Sequence, residues 1–293
     1  MFRSGYVTIL GEPNVGKSTL INALIGEKLA IVSHKPQTTR HRILGILNRP
    51  SAQILFLDTP GIHSSTKRLN ELMVESALRT LGDADVILHL ILPSSAISEP
   101  NREIASRCKQ TRKPYFVLIN KVDQVAKEAL LPLMQKVQTE LQPHEIIPIS
   151  ALQGDGVPGL IEQVEKRLPE GPAYYPQDIY TEHDTRFLCA ELVREKATRL
   201  LHQELPYALM TQVEAYEEGE KLDRIHIAII VEKPSQKAMV IGAKGQMIKK
   251  IGEQARVEIQ KMLGKKIYLE LFVKVEEKWT QKEDKLKELG LKS

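Results

Sequence analysis

Apolar residues in this chain form short continuous runs separated by stretches with helical spacing. The runs fall at 6–10, 43–47, 53–57, 86–92, 115–119 and 145–149. Short, almost unbroken apolar runs bounded by turn residues predict strands buried on both faces. The amphipathic segments between them predict helical crossovers, hence an α/β domain with a mixed, mostly parallel six-stranded sheet. The runs at 43–47 and 53–57 are joined by Asn-Arg-Pro-Ser-Ala, too short for a crossover, so this pair is expected to be antiparallel. A helix at 157–168 closes a first domain spanning 1–170. Pro-Glu-Gly-Pro-Ala-Tyr-Tyr-Pro at 169–176 has no apolar period, and the segment 171–182 reads as a linker.

The remainder, 183–293, has a different pattern. An amphipathic helix at 186–205 precedes strands at 210–216 and 224–231, which flank a polar turn. A short apolar helix then ends at Gly242, Gly245 opens a longer helix to about 262, and a last strand covers 266–275. This is an α+β arrangement followed by a polar tail.

Chemistry enters with Gly-Glu-Pro-Asn-Val-Gly-Lys-Ser at 11–18, between the first strand and an amphipathic helix. A strand–loop–helix of this kind aims backbone N–H groups and a helix N-terminus at phosphates. Gly11 and Gly16 allow close wrapping of the anion, with Glu12, Pro13, Asn14, Val15 and Thr19 completing the loop. Lys17 is placed to reach the β/γ oxygens, and Ser18 offers a hydroxyl to Mg²⁺. Asn120-Lys121-Val122-Asp123 ends the run at 115–119, where open α/β sheets bind ligands. A carboxylate at Asp123 can accept the N1 and N2 protons of guanine, while adenine would leave it unpaired. Ser150, Ala151 and Leu152 follow another strand and can present a backbone N–H to the guanine O6. Asp58-Thr59-Pro60-Gly61 ends the run at 53–57, with Asp58 placed for Mg²⁺ and the Gly61 N–H for a γ-phosphate. Gln37-Thr38-Thr39-Arg40 suits a switch loop in which Thr39, or else Thr38, completes the Mg²⁺ shell. The order of these motifs implies GTP and GDP as ligands.

In the second half, Gly242-Ala243-Lys244-Gly245 is a Gly-x-x-Gly turn between helices, open enough for a nucleic-acid backbone to approach. Between 235 and 266, Lys237, Lys244, Lys249, Lys250, Arg256, Lys261, Lys265 and Lys266 face only Glu253 and Glu258. Met239, Val240, Ile241, Met247, Ile248 and Ile251 flank the turn and are candidates for a groove floor. Single-stranded RNA is the favoured ligand.

Composition adds boundaries. The 293 residues, 42% hydrophobic, suit about two globular domains. The net charge of +4 is too small to identify a nucleic-acid partner by itself, so the local clustering carries that argument. No run approaches the ~18 apolar residues of a membrane span, and the start leaves no room for a signal peptide. Cys108 and Cys189 lack metal-ligand spacing and are expected to be reduced thiols.

With Lys-Pro-Gln-Thr-Thr-Arg-His-Arg, Asp-Thr-Pro-Gly-Ile-His, Asn-Lys-Val-Asp and Val-Ile-Gly-Ala-Lys-Gly in this order, the chain closely resembles the Era family of bacterial GTPases, over essentially its whole length. The resemblance implies a Ras-like GTPase domain and a type II KH domain that binds the 3′ region of 16S ribosomal RNA during 30S maturation. It also implies a cytoplasmic monomer with some peripheral association at the inner membrane face. In related GTPases an Asn at the Asn14 position helps coordinate K⁺; stiffening of the loop is the other role open to it. Ile62 stands where Ras-type enzymes carry the water-orienting Gln, so slow hydrolysis is expected, assisted by Lys17, Asn14, Thr39 and Gly61. His63 reads as a surface residue, and Arg40 and Arg42 as charge supplied in cis or as contacts to RNA or solvent. Two other functions share part of this pattern. A tRNA-modification GTPase would need a further cofactor domain. A membrane-surface switch fits poorly with a tail, 274–293, of six Lys interleaved with five acids.

Overall fold

The computed structural model describes residues 1–33, 43–58, 81–94, 96–201, 205–282 and 284. The expected positions Gln37, Thr38, Thr39, Arg40, Arg42, Thr59, Pro60, Gly61, Ile62 and His63 lie outside the described residues. Two compact units emerge, one holding 1–30 with the first half of the chain to Glu182, the other 31–33 with everything from His183.

In the first unit the elements are β1 (Arg3–Gly11), α1 (Lys17–Ile25), β2 (Ile43–Asn48), β3 (Ala52–Asp58), β4 (Val86–Ile91), α2 (Glu99–Gln110), β5 (Tyr115–Ile119), α3 (Leu130–Leu141), β6 (Glu145–Pro148) and α4 (Val157–Arg167). The sheet order is β2-β3-β1-β4-β5-β6. Among the described strands of this sheet only β2 pairs antiparallel, with β3, as the three-residue connection Arg49–Ser51 demands; β3, β1, β4, β5 and β6 run parallel. One apolar layer joins α1 and α4 to the sheet through Leu20, Leu24, Phe56, Leu88, Leu160 and Val164. The other joins α2 and α3 through Ile104, Cys108, Ile87, Val117, Val137 and Leu141. Each fully buried side chain of this size contributes about 1.5–3 kcal/mol. This is why the runs read as continuous rather than alternating.

The segment predicted as a linker has a structural task in this unit. Among the described residues no helix covers the outer face of β2 and β3; Tyr175 and Ile179 pack there with Tyr6 against Leu44, Ile46, Leu55 and Leu57. Gln53, fully buried in β3, holds the strap. Its Oε1 accepts from the Tyr174 and Tyr175 N–H groups at 2.7 and 2.9 Å, and its Nε2 donates to the Tyr175 carbonyl at 2.8 Å. Asn48 Nδ2 donates to the Gln177 and Ile179 carbonyls, and the Thr181 hydroxyl to the Leu44 carbonyl at 2.7 Å. A proline-rich sequence without period is thus fixed through its backbone polar groups.

In the second unit, α5 (Thr185–Leu200), β7 (Met210–Glu217), β8 (Asp223–Val231), α6 (Pro234–Ile241), α7 (Gln246–Leu263) and β9 (Ile267–Val275) follow in order. Strands β7 and β8 are antiparallel, β8 and β9 parallel. Val193, Ala197, Ile227, Ile229, Val240, Ile251, Ala255 and Ile259 form the core. Helix α5 ends at Leu200, short of the predicted 205. It also buries charge as ion pairs, Arg194 with Glu191 at 2.6 Å and Lys196 with Glu195 at 3.0 Å. Buried charges of this kind are tolerable only when paired.

Candidate functional site

The phosphate loop leaves β1 at its C-terminal end and enters α1 at Lys17. Gly16, the N-cap, has φ of 104°, a conformation L side chains avoid. It has a second reason to be glycine. A Cβ there would lie 2.3 Å from Asn120 Nδ2. Asn120 occupies that space because it clasps two loops, donating to the Val15 carbonyl at 2.7 Å and accepting from the Ala151 N–H at 3.0 Å. Lys121 donates to the Asn14 carbonyl at 3.0 Å. The motif expected to read a base therefore also braces the loop expected to hold phosphates, and the 150–152 loop is tied to both.

Lys17 is buried, its Nζ donating to the Gly11 and Glu12 carbonyls at 3.1 and 2.9 Å. Burial pulls its pKa down to about 8, with the Asp58 and Glu12 charges opposing. An ammonium held in this way, at a helix N-terminus, is ready to pair with an anion. Ser18 Oγ donates to Asp58 Oδ2 at 3.1 Å, across the gap between α1 and the end of β3. These two hard oxygen donors fit Mg²⁺. Asp123 lies on a short turn, Val122–Gln124, and accepts the Ser150 hydroxyl at 2.6 Å on Oδ1. Asn14 has φ of 63° and an exposed side chain, its carbonyl being the group that Lys121 holds. Thr39, Thr59, Pro60 and Gly61 lie outside the described residues.

In the second unit the chain turns between α6 and α7 through Gly242, Ala243, Lys244 and Gly245, with φ of 72°, 49° and 77° at Gly242, Lys244 and Gly245. The two glycines differ. A Cβ on Gly242 would lie 2.7 Å from the Met247 Cβ, whereas Gly245 faces open space. Lys237, Lys244, Lys249 and Lys250 are exposed around the turn. The expected apolar floor needs correction. Val240 and Ile251 are fully buried in the core, so only Met239, Ile241, Met247 and Ile248 retain any surface near the turn.

Sequence reasoning missed two buried polar residues that bond across the fold. Gln53 is a polar residue inside an otherwise apolar strand, and that anomaly was its signal. His89 is the same anomaly in β4, fully buried beside Asn101 and Tyr115.

Comparison with known proteins agrees with this geometry. A family model described as 50S ribosome-binding GTPase matches residues 6–121, and a KH domain model matches 204–280. The chain is 48% identical over 292 residues to GTPase Era of Syntrophus aciditrophicus, covering 99% of this chain and 95% of that protein. It is 49% identical to GTPase Era of Geobacter metallireducens over 291 residues, 99% and 98% of the two chains. Among solved structures, an Aquifex aeolicus Era variant bound to GDP.AlF4⁻ superposes with a TM-score of 0.95 at 40% identity over the full length of both chains. An Era structure in complex with MgGDPNP and nucleotides 1506–1542 of 16S ribosomal RNA gives the same TM-score, identity and coverage.

Proposed function

The chain belongs to the GTPase Era family, and on that premise we propose that it is a GTP-hydrolysing switch that binds the 3′ region of 16S ribosomal RNA and assists 30S subunit assembly and maturation. The observation that carries this reading is the presence, in one chain, of a phosphate loop clasped by Asn120 and an exposed glycine turn rimmed by lysines.

Residues 11–19 hold the phosphates of GTP or GDP through backbone N–H groups and Lys17, which neutralises charge on the β- and γ-oxygens. Asp123 accepts from guanine N1 and N2, in an orientation supported by the Ser150 hydroxyl. The 150–152 loop presents N–H groups to the base. Ser18 and Asp58, with Thr39, hold Mg²⁺, which supplies positive charge to the terminal phosphates. Asn14, an exposed residue of the phosphate loop itself, ligates K⁺, an assignment supported by that exposure. Thr39 and Gly61 sense the γ-phosphate. Hydrolysis converts GTP and water to GDP and phosphate, slowly, because an aliphatic residue follows Gly61. RNA backbone passes over Gly242–Gly245 with Lys237, Lys244, Lys249 and Lys250 at its phosphates. Among the described residues no helix is long and apolar enough to cross a membrane. The place of work proposed is the cytoplasm, with peripheral contact at the inner membrane face implied by family alone.

The test is fluorescence anisotropy with a labelled oligonucleotide of the 16S 3′ region, with GDP, with a non-hydrolysable GTP analogue and without nucleotide. Tighter binding with the analogue is expected. Linkage then requires RNA to tighten the analogue by the same factor, typically about 5- to 150-fold. Absence of binding in all three states overturns the RNA assignment. Three equal affinities make the second unit a passive tether.

A further inference from the structure

Glu12, the second residue of the phosphate loop, is held from outside the loop. Its Oε2 accepts from Ser98 Oγ and from Asn101 Nδ2, both at 2.8 Å. Ser98 is the N-cap of α2 and also accepts from the Asn101 N–H at 3.3 Å. The carboxylate therefore sits at a helix N-terminus, where the macrodipole favours negative charge. Beyond Asn101, its Oδ1 lies 3.0 Å from His89 Nε2, and His89 Nδ1 lies 2.8 Å from the Tyr115 hydroxyl. His89, Tyr115 and Asn101 are 0%, 1% and 6% exposed.

The proton positions along this relay follow from one end. A carboxylate only accepts, so Asn101 turns its NH₂ toward Glu12 and its carbonyl oxygen toward His89. His89 then carries its proton on Nε2, and Nδ1 accepts from Tyr115. Burial keeps the ring neutral, its pKa lowered to about 4. At the other end, the Glu12 carbonyl accepts from Lys17 Nζ at 2.9 Å. One residue thus links a buried side-chain network in β4, β5 and α2 to the ammonium that meets the phosphates.

We propose that His89 is a positioning residue for the phosphate loop, holding Asn101 in one orientation so that Glu12, and with it Lys17, is set before nucleotide arrives. A loop fixed in advance loses less conformational freedom on binding, which raises affinity for nucleoside di- and triphosphates. The inference rests on nucleotide occupying this loop.

The experiment measures the dissociation constant of fluorescently labelled GDP for the full chain. His89→Leu keeps the bulk and removes the donor to Asn101; a lost hydrogen bond predicts about three- to tenfold weaker binding. His89→Gln places an amide N–H where Nε2 stands and stays within about twofold of the unaltered protein. Glu12→Ala weakens binding to the same degree as His89→Leu, and the double variant is no weaker than either, because both act through one path. If His89→Leu fails to fold, Asn101→Leu takes its place in the same cycle. Equal losses for Gln and Leu, losses that multiply in the double variant, or unchanged affinity each overturn the relay. An unaltered protein that fails to bind labelled GDP overturns the nucleotide reading instead.

Discussion

The Ser150 hydroxyl donates to Asp123 Oδ1 at 2.6 Å, joining the end of β6 to the turn after β5 across 27 residues of sequence. One carboxylate oxygen is thereby fixed, and the plane of the group with it. Asp123→Asn should weaken GTP by about 100-fold or more, since two hydrogen bonds to a charged group contribute ~1.5–3 kcal/mol each. It should also favour xanthosine triphosphate, whose C2 carbonyl accepts from the new amide. Ser150→Ala should reduce GTP affinity less and leave the base preference in place. Titration with both nucleotides decides, and an unchanged preference in Asp123→Asn removes Asp123 as the base reader.

Lys17 predicts a pH dependence. Its pKa in the free protein is lowered to about 8, mainly by burial. Phosphates favour the charged form and raise that value in the complex. Below about pH 8 the ammonium is charged in both states, so affinity is flat. Above it the free protein must take up a proton to bind, and affinity falls toward a limit of about tenfold per pH unit. GDP titrations between pH 7 and 9 should show this bend, and Lys17→Arg, which does not titrate there, should lack it in whatever binding remains.

If Asn14 ligates K⁺, GTP hydrolysis runs faster in K⁺ than in Na⁺, and Asn14→Ala abolishes the difference. A rate indifferent to the ion in the unaltered protein leaves Asn14 only its backbone bond to Lys121.

The glycine turn gives an RNA test in which the two glycines are not equivalent. Gly242→Asp would press on Met247 and distort the turn itself, so its loss of binding proves little. Gly245 faces open space, and Asp tolerates left-handed backbone better than most residues. Gly245→Asp should abolish binding of the 16S oligonucleotide while the thermal midpoint and basal GTPase rate change little. Lys244→Ala should flatten the salt dependence of log affinity by about one phosphate contact. RNA binding that survives Gly245→Asp points to another surface.

Gln53→Leu should destabilise the first unit. The substitution preserves volume yet strips partners from the Tyr174 and Tyr175 N–H groups and the Tyr175 carbonyl. Each buried group left unpaired costs about 1–3 kcal/mol, so a loss of several kcal/mol is expected in denaturant unfolding. Stability within experimental error of the unaltered chain would mean that the strap is not held by Gln53.

Strands, helices and the order of motifs were legible because they depend on local chemistry. Period, glycine placement and turn residues act over a few positions, and β2 had to be antiparallel because its connection to β3 is short. The nucleotide ligand was legible for the same reason, since the motifs at 11–18, 58–61, 120–123 and 150–152 each follow a strand, and the RNA turn was legible from two glycines between two helical segments. Tertiary structure alone decided which residues those motifs touch. Gly16 is confined by Asn120, 104 positions away, as well as by its own φ. The segment at 171–182 looked like a tether because a strap fastened through backbone amides leaves no apolar period; its partners, Gln53, Asn48 and Leu44, lie more than 100 residues earlier. Val240 and Ile251 looked like groove floor by proximity to the glycine turn, but the rotation of α6 and α7 on the sheet turns them into the core. Glu12 gave no sign of Asn101 or His89, because the bonds joining them form only where β1, β4 and α2 converge. Sequence carries the local rules that form the elements; packing decides which of their polar groups meet.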